Sequence, residues 1–415
     1  MSHDTTRRSV LAAAATAPVW GALPYRSARA QAANTIRIGV MNDQSGLYRD
    51  ISGPGSTQAV RLAVQESGIT QRGINVEVVQ ADHQNRPDVG STVVRQWIDR
   101  DGVDVIVDVP TSSVALAVNT IVRERNKVLL NSGAATSDLT GAQCSPNTVH
   151  WTYDTWMLAR GTGGAMVAAG GQTWFFITAD YAFGHALERD TSEFVRQAGG
   201  RILGAVRTPF PGTTDFSSFL VQAQASRAQV VGLANAGGDT INSIKQAAEF
   251  GLTRRGVRLA GLLVFITDVH SLGLQTAQGL VLTETFYWDL NDRTRAFTQR
   301  IGAMPGGLRP SMVQAGCYSA VLHYLKAVGD MGVAAAKASG VDAVNRMKAM
   351  PTSDDAFGEG TIRPDGRKIH PAYLFQVKAP SESRYAWDYY TLLQTVPADQ
   401  AFRPLAAGGC ALVRS

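Results

Sequence analysis

Three cysteines in 415 residues, seven scattered histidines and no HExxH or CxxC spacing leave no dedicated metal centre on which to build a mechanism. Also absent are a GxSxG, a GxxxxGK[ST] and a GxGxxG joining a strand directly to its helix. That removes the nucleophile elbow and the phosphate cradles that such chemistry uses, so neither a hydrolase nor a nucleotide-dependent enzyme is expected, and no cofactor is called for. No repeat of 20–50 residues runs through the chain, which sets solenoids aside. Charge is sparse at 18%, hydrophobic residues make up 45%, and there are 41 glycines, the profile of a globular α/β chain rather than a disordered one. Excess charge of one sign is small as well. The formal net charge of +5 includes Arg7, Arg8, Arg26 and Arg29 against Asp4, so a chain without its first thirty residues loses most of that excess. A nucleic-acid partner is not expected.

What those thirty residues contain reads as an export signal. Arg7-Arg8 precede the apolar run 10–23, and Ala28-Arg29-Ala30 offers a small-x-small cleavage site near Ala30. The segment TTRRSVL resembles the twin-arginine motif, with Val10 where phenylalanine is usual. The run is shorter than the ~20 residues that span a bilayer, and no later stretch is long enough either. Export points to the periplasm, an oxidising compartment, where the three cysteines acquire a redox reading. Cys144 and Cys410 lie among turn-forming residues and are the disulfide candidates, whereas Cys317 sits in a small-residue helical run that favours a buried thiol.

From residue 35 to about 290, short β-branched runs alternate with longer amphipathic ones. Strands are predicted at 35–41, 74–80, 103–109, 127–131, 174–178, 202–207, 229–233, 259–265 and 280–288, with one more at 371–377. Most are continuous apolar runs, as expected of strands covered on both faces, so the fold class is α/β with two doubly wound parallel-sheet lobes. The rhythm breaks near residues 150–154 and again near 284, which predicts two crossings. The division that follows is an export signal at 1–30, lobe one from 34–152 plus 284–370, and lobe two from 153–283 plus 371–415, with the ligand cleft between the lobes.

In such sheets the ligand lies beyond the strand carboxyl ends, where helix N-termini present free N–H groups. The loop after the first strand, 42–56, is polar and glycine-rich. The third strand leads into Thr111-Ser112-Ser113 and the fourth into Asn131-Ser132-Gly133-Ala134-Ala135-Thr136, two hydroxyl-bearing loops at one sheet edge. Such hydroxyls cap helices, and can also donate to an anion. In the second half, Ala179-Asp180-Tyr181-Ala182-Phe183-Gly184 offers a stacking surface or a packed aromatic, and Asp239 and Asp268 read as helix N-caps.

Taken in order, IRIGVMNDQSGLY, the paired S-S and SGAATSDLT loops, ADYAFGHAL, NAGGDT and QAAEFGL resemble type I periplasmic solute-binding proteins of the branched-chain amino-acid (Leu/Ile/Val-binding) group, over residues 34–395. The resemblance implies capture of a small solute for an ABC importer, with permease and ATPase subunits as partners and a monomeric chain. It places the ligand carboxylate on Ser113 and Thr136, with Ser112 alongside and Ala134 contributing a backbone carbonyl. Phe183 and Tyr181 close over the ligand, and Tyr48 and Asn235 complete the lining. Amino-acid binders carry an acid in the next loop for the ligand ammonium, and the matching position here is Phe265. A buried ammonium without an acceptor costs several kcal/mol, so an aromatic or hydrophobic carboxylate is expected. Asp239 or Asp268 could supply the missing charge, which keeps branched-chain amino acids and small amides open. A sensor reporting to a membrane receptor would carry the same site.

Overall fold

A computed structural model describes residues 34–413; the export signal and its cleavage site near Ala30 lie outside the described residues. Five parallel strands, β1 (Thr35–Asn42), β2 (Asn75–Asp82), β3 (Val105–Asp108), β4 (Val128–Asn131) and β5 (Thr148–His150), form a first sheet in the order β2-β1-β3-β4-β5. A second parallel sheet repeats the pattern with β6 (Thr173–Ala179), β7 (Arg201–Thr208), β8 (Val230–Ala234) and β9 (Arg258–Gly261) in the order β7-β6-β8-β9. The helices of seven residues or more are α1 (Gly53–Glu66), α2 (Pro87–Asp99), α3 (Ser112–Glu124), α4 (Ala182–Gln197), α5 (Ser217–Ala225), α6 (Gly238–Glu249), α7 (Ile266–Leu272), α8 (Asp292–Ile301), α9 (Met312–Met331) and α10 (Gly340–Lys348). The chain is thus α/β with two doubly wound lobes, as its alternating runs predict. The central strands β3, β4 and β8 are buried at every residue, whereas β2 and β7, one-sided edges, alternate between exposed and half-buried positions.

Two strand predictions are corrected. The run 259–265 stops being a strand at Gly261, and Phe265 instead precedes α7, its N–H bonded to Asp268 Oδ2 at 2.9 Å. An aspartate three residues into a helix satisfies an otherwise orphaned donor, and this local bond outcompetes sheet extension. The run 280–288 keeps only β10 (Val281–Glu284), which pairs antiparallel with β13 (Ala372–Val377), itself paired with β14 (Tyr390–Val396). A short hairpin, β11 (Thr361–Ile362) with β12 (Lys368–Ile369), lies between β10 and β13 in the chain.

Between the lobes the chain passes at 150–155, at 285–291 and again near 370. His150 N–H bonds to Gly366 O at 2.9 Å, holding the first and third passages side by side. After β14 the tail leaves the second lobe and returns to the first, which corrects the assignment of 371–415 as a whole to lobe two: Arg403 Nη2 donates to Ser137 O at 2.9 Å, and Cys410 is disulfide-bonded to Cys144. Cys317 is a free, buried thiol, its pKa pushed well up by burial. Among the described residues no helix is long and apolar enough to cross a membrane.

Candidate functional site

The carboxyl ends of β1, β3 and β4 face those of β6, β8 and β9. Lobe one is braced for this from below. Ser311 Oγ donates to Ile51 O at 2.6 Å, and Gln314 Nε2 donates to Ser52 O at 3.1 Å, so the start of α9 fixes the β1–α1 loop. Asp108 and Val109, at the end of β3, both have left-handed backbones, φ 82° and 57°. Two consecutive non-glycine residues in that region store strain of order 1–3 kcal/mol each. The Asp108 carboxylate repays part of it, accepting Asn42 Nδ2 at 3.0 Å and Ser52 Oγ at 2.8 Å, while its backbone oxygen accepts from Ser132 and Gly133. Three loops of the edge are thereby tied to one buried acid.

Where the lobes meet there is a narrow cavity of about 10 Å³. Lobe one contributes Tyr48, Ile51, Pro110, Gly133 and Ala135, the first crossing contributes Tyr153, and lobe two contributes Tyr181, Phe183, Ala236 and Leu263. The lobes touch around it. Tyr48 and Tyr181 share a hydroxyl–hydroxyl bond of 2.5 Å, Gly238 N–H reaches Leu47 O at 3.3 Å, and Ser137 Oγ donates to Asp190 Oδ2 at 2.8 Å. Arg189 adds an ion pair to Asp138 at 3.1 Å. Phe210 stacks on Tyr181 with ring centroids 3.8 Å apart, stiffening the aromatic wall. Gly184 is required beside Phe183 because a Cβ there would stand 2.0 Å from Ala179 O, so α4 runs directly against the end of β6.

The electrostatic character is that of neutral donors and buried acids. Burial pushes the Tyr48 and Tyr153 hydroxyls well above their usual range, and Tyr181 likewise, so all three stay protonated. No lysine, arginine or histidine lines the cavity. Burial raises the carboxyl of Asp268 to about 7 against the Phe265 N–H bond, and that of Asp239 to about 7 with nothing opposing it. Glu284 is pushed well up by burial, although Tyr390 donates to it at 2.7 Å. A ligand here meets aromatic faces and neutral hydroxyls, which suits a flat or branched apolar body.

Of the residues singled out in the sequence, Tyr48, Tyr181 and Phe183 line the cavity. Ala134 and Thr136 flank the lining residue Ala135. Ala134 O accepts Asn131 Nδ2 at 2.7 Å, and Thr136 N–H donates to Ser112 Oγ at 3.2 Å, which joins the two hydroxyl loops. Ser112 is buried and Ser113 half-buried in the first turn of α3. The Asn235 side chain turns to its own helix, donating to Ser243 Oγ at 3.0 Å and accepting Thr240 Oγ1 at 2.7 Å; its neighbour Ala236 lines the cavity instead. Phe265 is fully buried, edge-on to Tyr153 at 5.9 Å, and Leu263 holds the lining position of that loop. Sequence reading missed Tyr153, whose hydroxyl donates to Gly133 O at 2.6 Å. Its signal was available, since a crossing between lobes has to run along the cleft.

A family model described as periplasmic binding protein matches residues 35–383. A solved periplasmic binding protein from Burkholderia mallei is 48% identical, with a TM-score of 0.88, over 92% of this chain and 100% of that one. A branched chain amino acid ABC transporter periplasmic ligand-binding protein from Burkholderia xenovorans is 38% identical, with a TM-score of 0.78, over 91% and 99%. A solute binding protein of an ABC transporter from R. palustris, solved in complex with benzoate, shares the fold at 21% identity and a TM-score of 0.76, over 88% and 97%.

Proposed function

The chain belongs to the periplasmic binding protein family, and from that premise we propose that it captures a small carboxylate with an aromatic or hydrophobic body for an ABC importer. The observation that carries the reading is the aromatic cavity wall of Tyr48, Tyr153, Tyr181 and Phe183, free of basic side chains. At about 10 Å³ the space holds little more than a water, so a ring or a short branched chain is taken up as the lobes part. The carboxylate is assigned to the α3 start and the loop after β4, where Ser112, Ser113 and Thr136 lie together and the N-terminal end of α3 favours an anion. Closure of the lobes removes water from these hydrogen bonds and strengthens them. The closed form then delivers the solute to a permease, with ATP hydrolysis on separate subunits, the chain itself acting as a monomer without a cofactor. Residues 1–30 serve as the export signal on this reading, and the lobes divide at the crossings near residues 152, 284 and 370. Its support is the family membership and the lining. The Burkholderia xenovorans relative favours a second reading, a branched-chain amino acid in the same cavity.

Thermal-shift titration of the full chain with benzoates, aliphatic acids, leucine and valine separates the two. A ligand at 100 times its Kd adds about 2.7 kcal/mol of stability. Stabilisation by aromatic acids and not by leucine is expected, and the reverse would replace the first reading by the second. Replacing Thr136 by Val should weaken the stabilising acid by about 1 to 3 kcal/mol, and unchanged affinity would remove the hydroxyl loop from the site.

A further inference from the structure

Beside the cavity the lobes border a second, open groove of about 380 Å³, and the two spaces meet along a seam. On lobe one, Leu47 lines the groove and the next residue, Tyr48, lines the cavity; on lobe two, Gly238 lines the groove and Ala236 the cavity. The third side of the seam comes from the loop after β7, where Pro211 and Thr213 line the groove. β6 and β7 run in register up to the pair Ala179 and Thr208, so Tyr181 and Phe210, each two residues further on, leave the sheet side by side. There the Phe210 ring lies on Tyr181 with the two planes 11° apart, and it stands 6.0 Å from the ring of Tyr48. Its backbone is held from both ends: Asp180 N–H bonds to Thr208 O at 2.8 Å, and Thr213 Oγ1 donates to Pro209 O at 2.7 Å. Phe210 thus has cavity residues against its ring and the groove beginning at the next residue.

The sides of the seam differ in what they can yield. At Gly237, φ 56°, a Cβ would stand 2.5 Å from Leu47 O and 3.0 Å from the Tyr48 ring, so the chain of lobe two already lies against that of lobe one with no space to spare. Tyr48 is buried, and its hydroxyl is bonded to that of Tyr181. Phe210 is half-buried and carries no polar atom on its side chain, so packing alone holds its ring and no hydrogen bond breaks when it moves. The Phe210 side is the one that can give way.

We propose that Phe210 is a specificity-determining residue, its ring partitioning the cavity from the groove and limiting the solute to a body that ends at the seam. Tyr181 and Phe210 belong to lobe two and Tyr48 to lobe one, so the partition is completed only as the lobes close. A solute that projects past the seam holds Tyr48 away from its partner, and its size is read at closure. This assignment deepens the proposed capture of an aromatic or hydrophobic carboxylate and rests on it for the end of the solute held at the hydroxyl loops.

The test is calorimetric titration of the full chain and of Phe210→Ala with two pairs of probes, one acidic (benzoate and biphenyl-4-carboxylate) and one neutral (benzyl alcohol and biphenyl-4-methanol). The wild type is expected to favour benzoate over the longer acid by about tenfold or more, and Phe210→Ala to move that ratio at least about tenfold towards the longer acid. A merely loosened loop would weaken both members of a pair and leave their ratio alone. Phe210→Leu, which keeps apolar bulk without the flat ring, should move the ratio less in the same direction, and it decides on that ratio if the alanine variant does not fold. A ratio unchanged in both pairs, the case in which neither long probe binds any of the proteins included, overturns the proposal, as does a wild type that binds long and short probes equally. A gain for the long member of the neutral pair alone, with no acid bound by any of the proteins, upholds the partition and removes the carboxylate reading instead.

Discussion

Neutralising Asp239 should stabilise the unliganded protein, by an amount that depends on pH. Burial raises its carboxyl from 3.8 to about 7, so between these values the folded state holds a proton that the unfolded chain has released. Stability therefore falls as pH rises through this window, is unaffected by this group below pH 4, and has lost its full increment above pH 7. A shift of about three units at 1.36 kcal/mol each amounts to roughly 4 kcal/mol, and the residue is buried enough for solvent screening to remove little of it. Asp239→Asn keeps the shape and titrates nothing. Because the Oδ2 atom has no partner to lose, the difference in unfolding free energy, variant minus wild type, should be near zero at pH 4 and roughly 4 kcal/mol at pH 8. Urea titrations followed by intrinsic fluorescence, at steps of one pH unit, measure that difference while cancelling every other titrating group. A difference that is flat with pH, or that favours the wild type at pH 8, would refute the argument that this acid is desolvated and unpaired.

Other consequences are simpler to score. Cys144→Ser opens a cross-link spanning 266 residues, and chain entropy puts the loss at between about 5 and 6 kcal/mol; a denaturation midpoint unchanged by the substitution or by reductant would contradict it. Gly184→Ala forces a Cβ to 2.0 Å from Ala179 O and 3.0 Å from Ala234 O, both backbone atoms, and should cost at least ~2 kcal/mol in thermal or chemical unfolding; a neutral result would mean that α4 can move off β6. Tyr181→Phe removes the hydroxyl bond to Tyr48 and about 1 kcal/mol of closed-state preference, which small-angle scattering should register as a larger radius of gyration without ligand.

The parts of the fold legible in the sequence are those governed by local burial. VIVD and VLLN announce β3 and β4 because both faces are covered. What stayed hidden depends on distant partners. β14 reads as an unremarkable polar and apolar mixture, with Leu392 and Leu393 exposed, and becomes a strand only because β13 supplies its ladder. The same β13 turns the run around β10 antiparallel. At the site, Tyr181 and Phe183 were visible because a strand end must deliver its loop to the cleft. Asn235 misled for the opposite reason: its amide looked free for a ligand, yet Thr240 and Ser243, further along the chain, consume it.

The bond between Cys144 and Cys410 makes most of the polypeptide a covalent ring. Lobe two hangs wholly inside that ring, between a knot on lobe one and the tail that returns to it. A single protease cut in any of its exposed loops would leave one molecule, with both fragments still fastened at the same place, and only reduction would part them. The ring turns a severing event into a nick that the packed lobes can outlast.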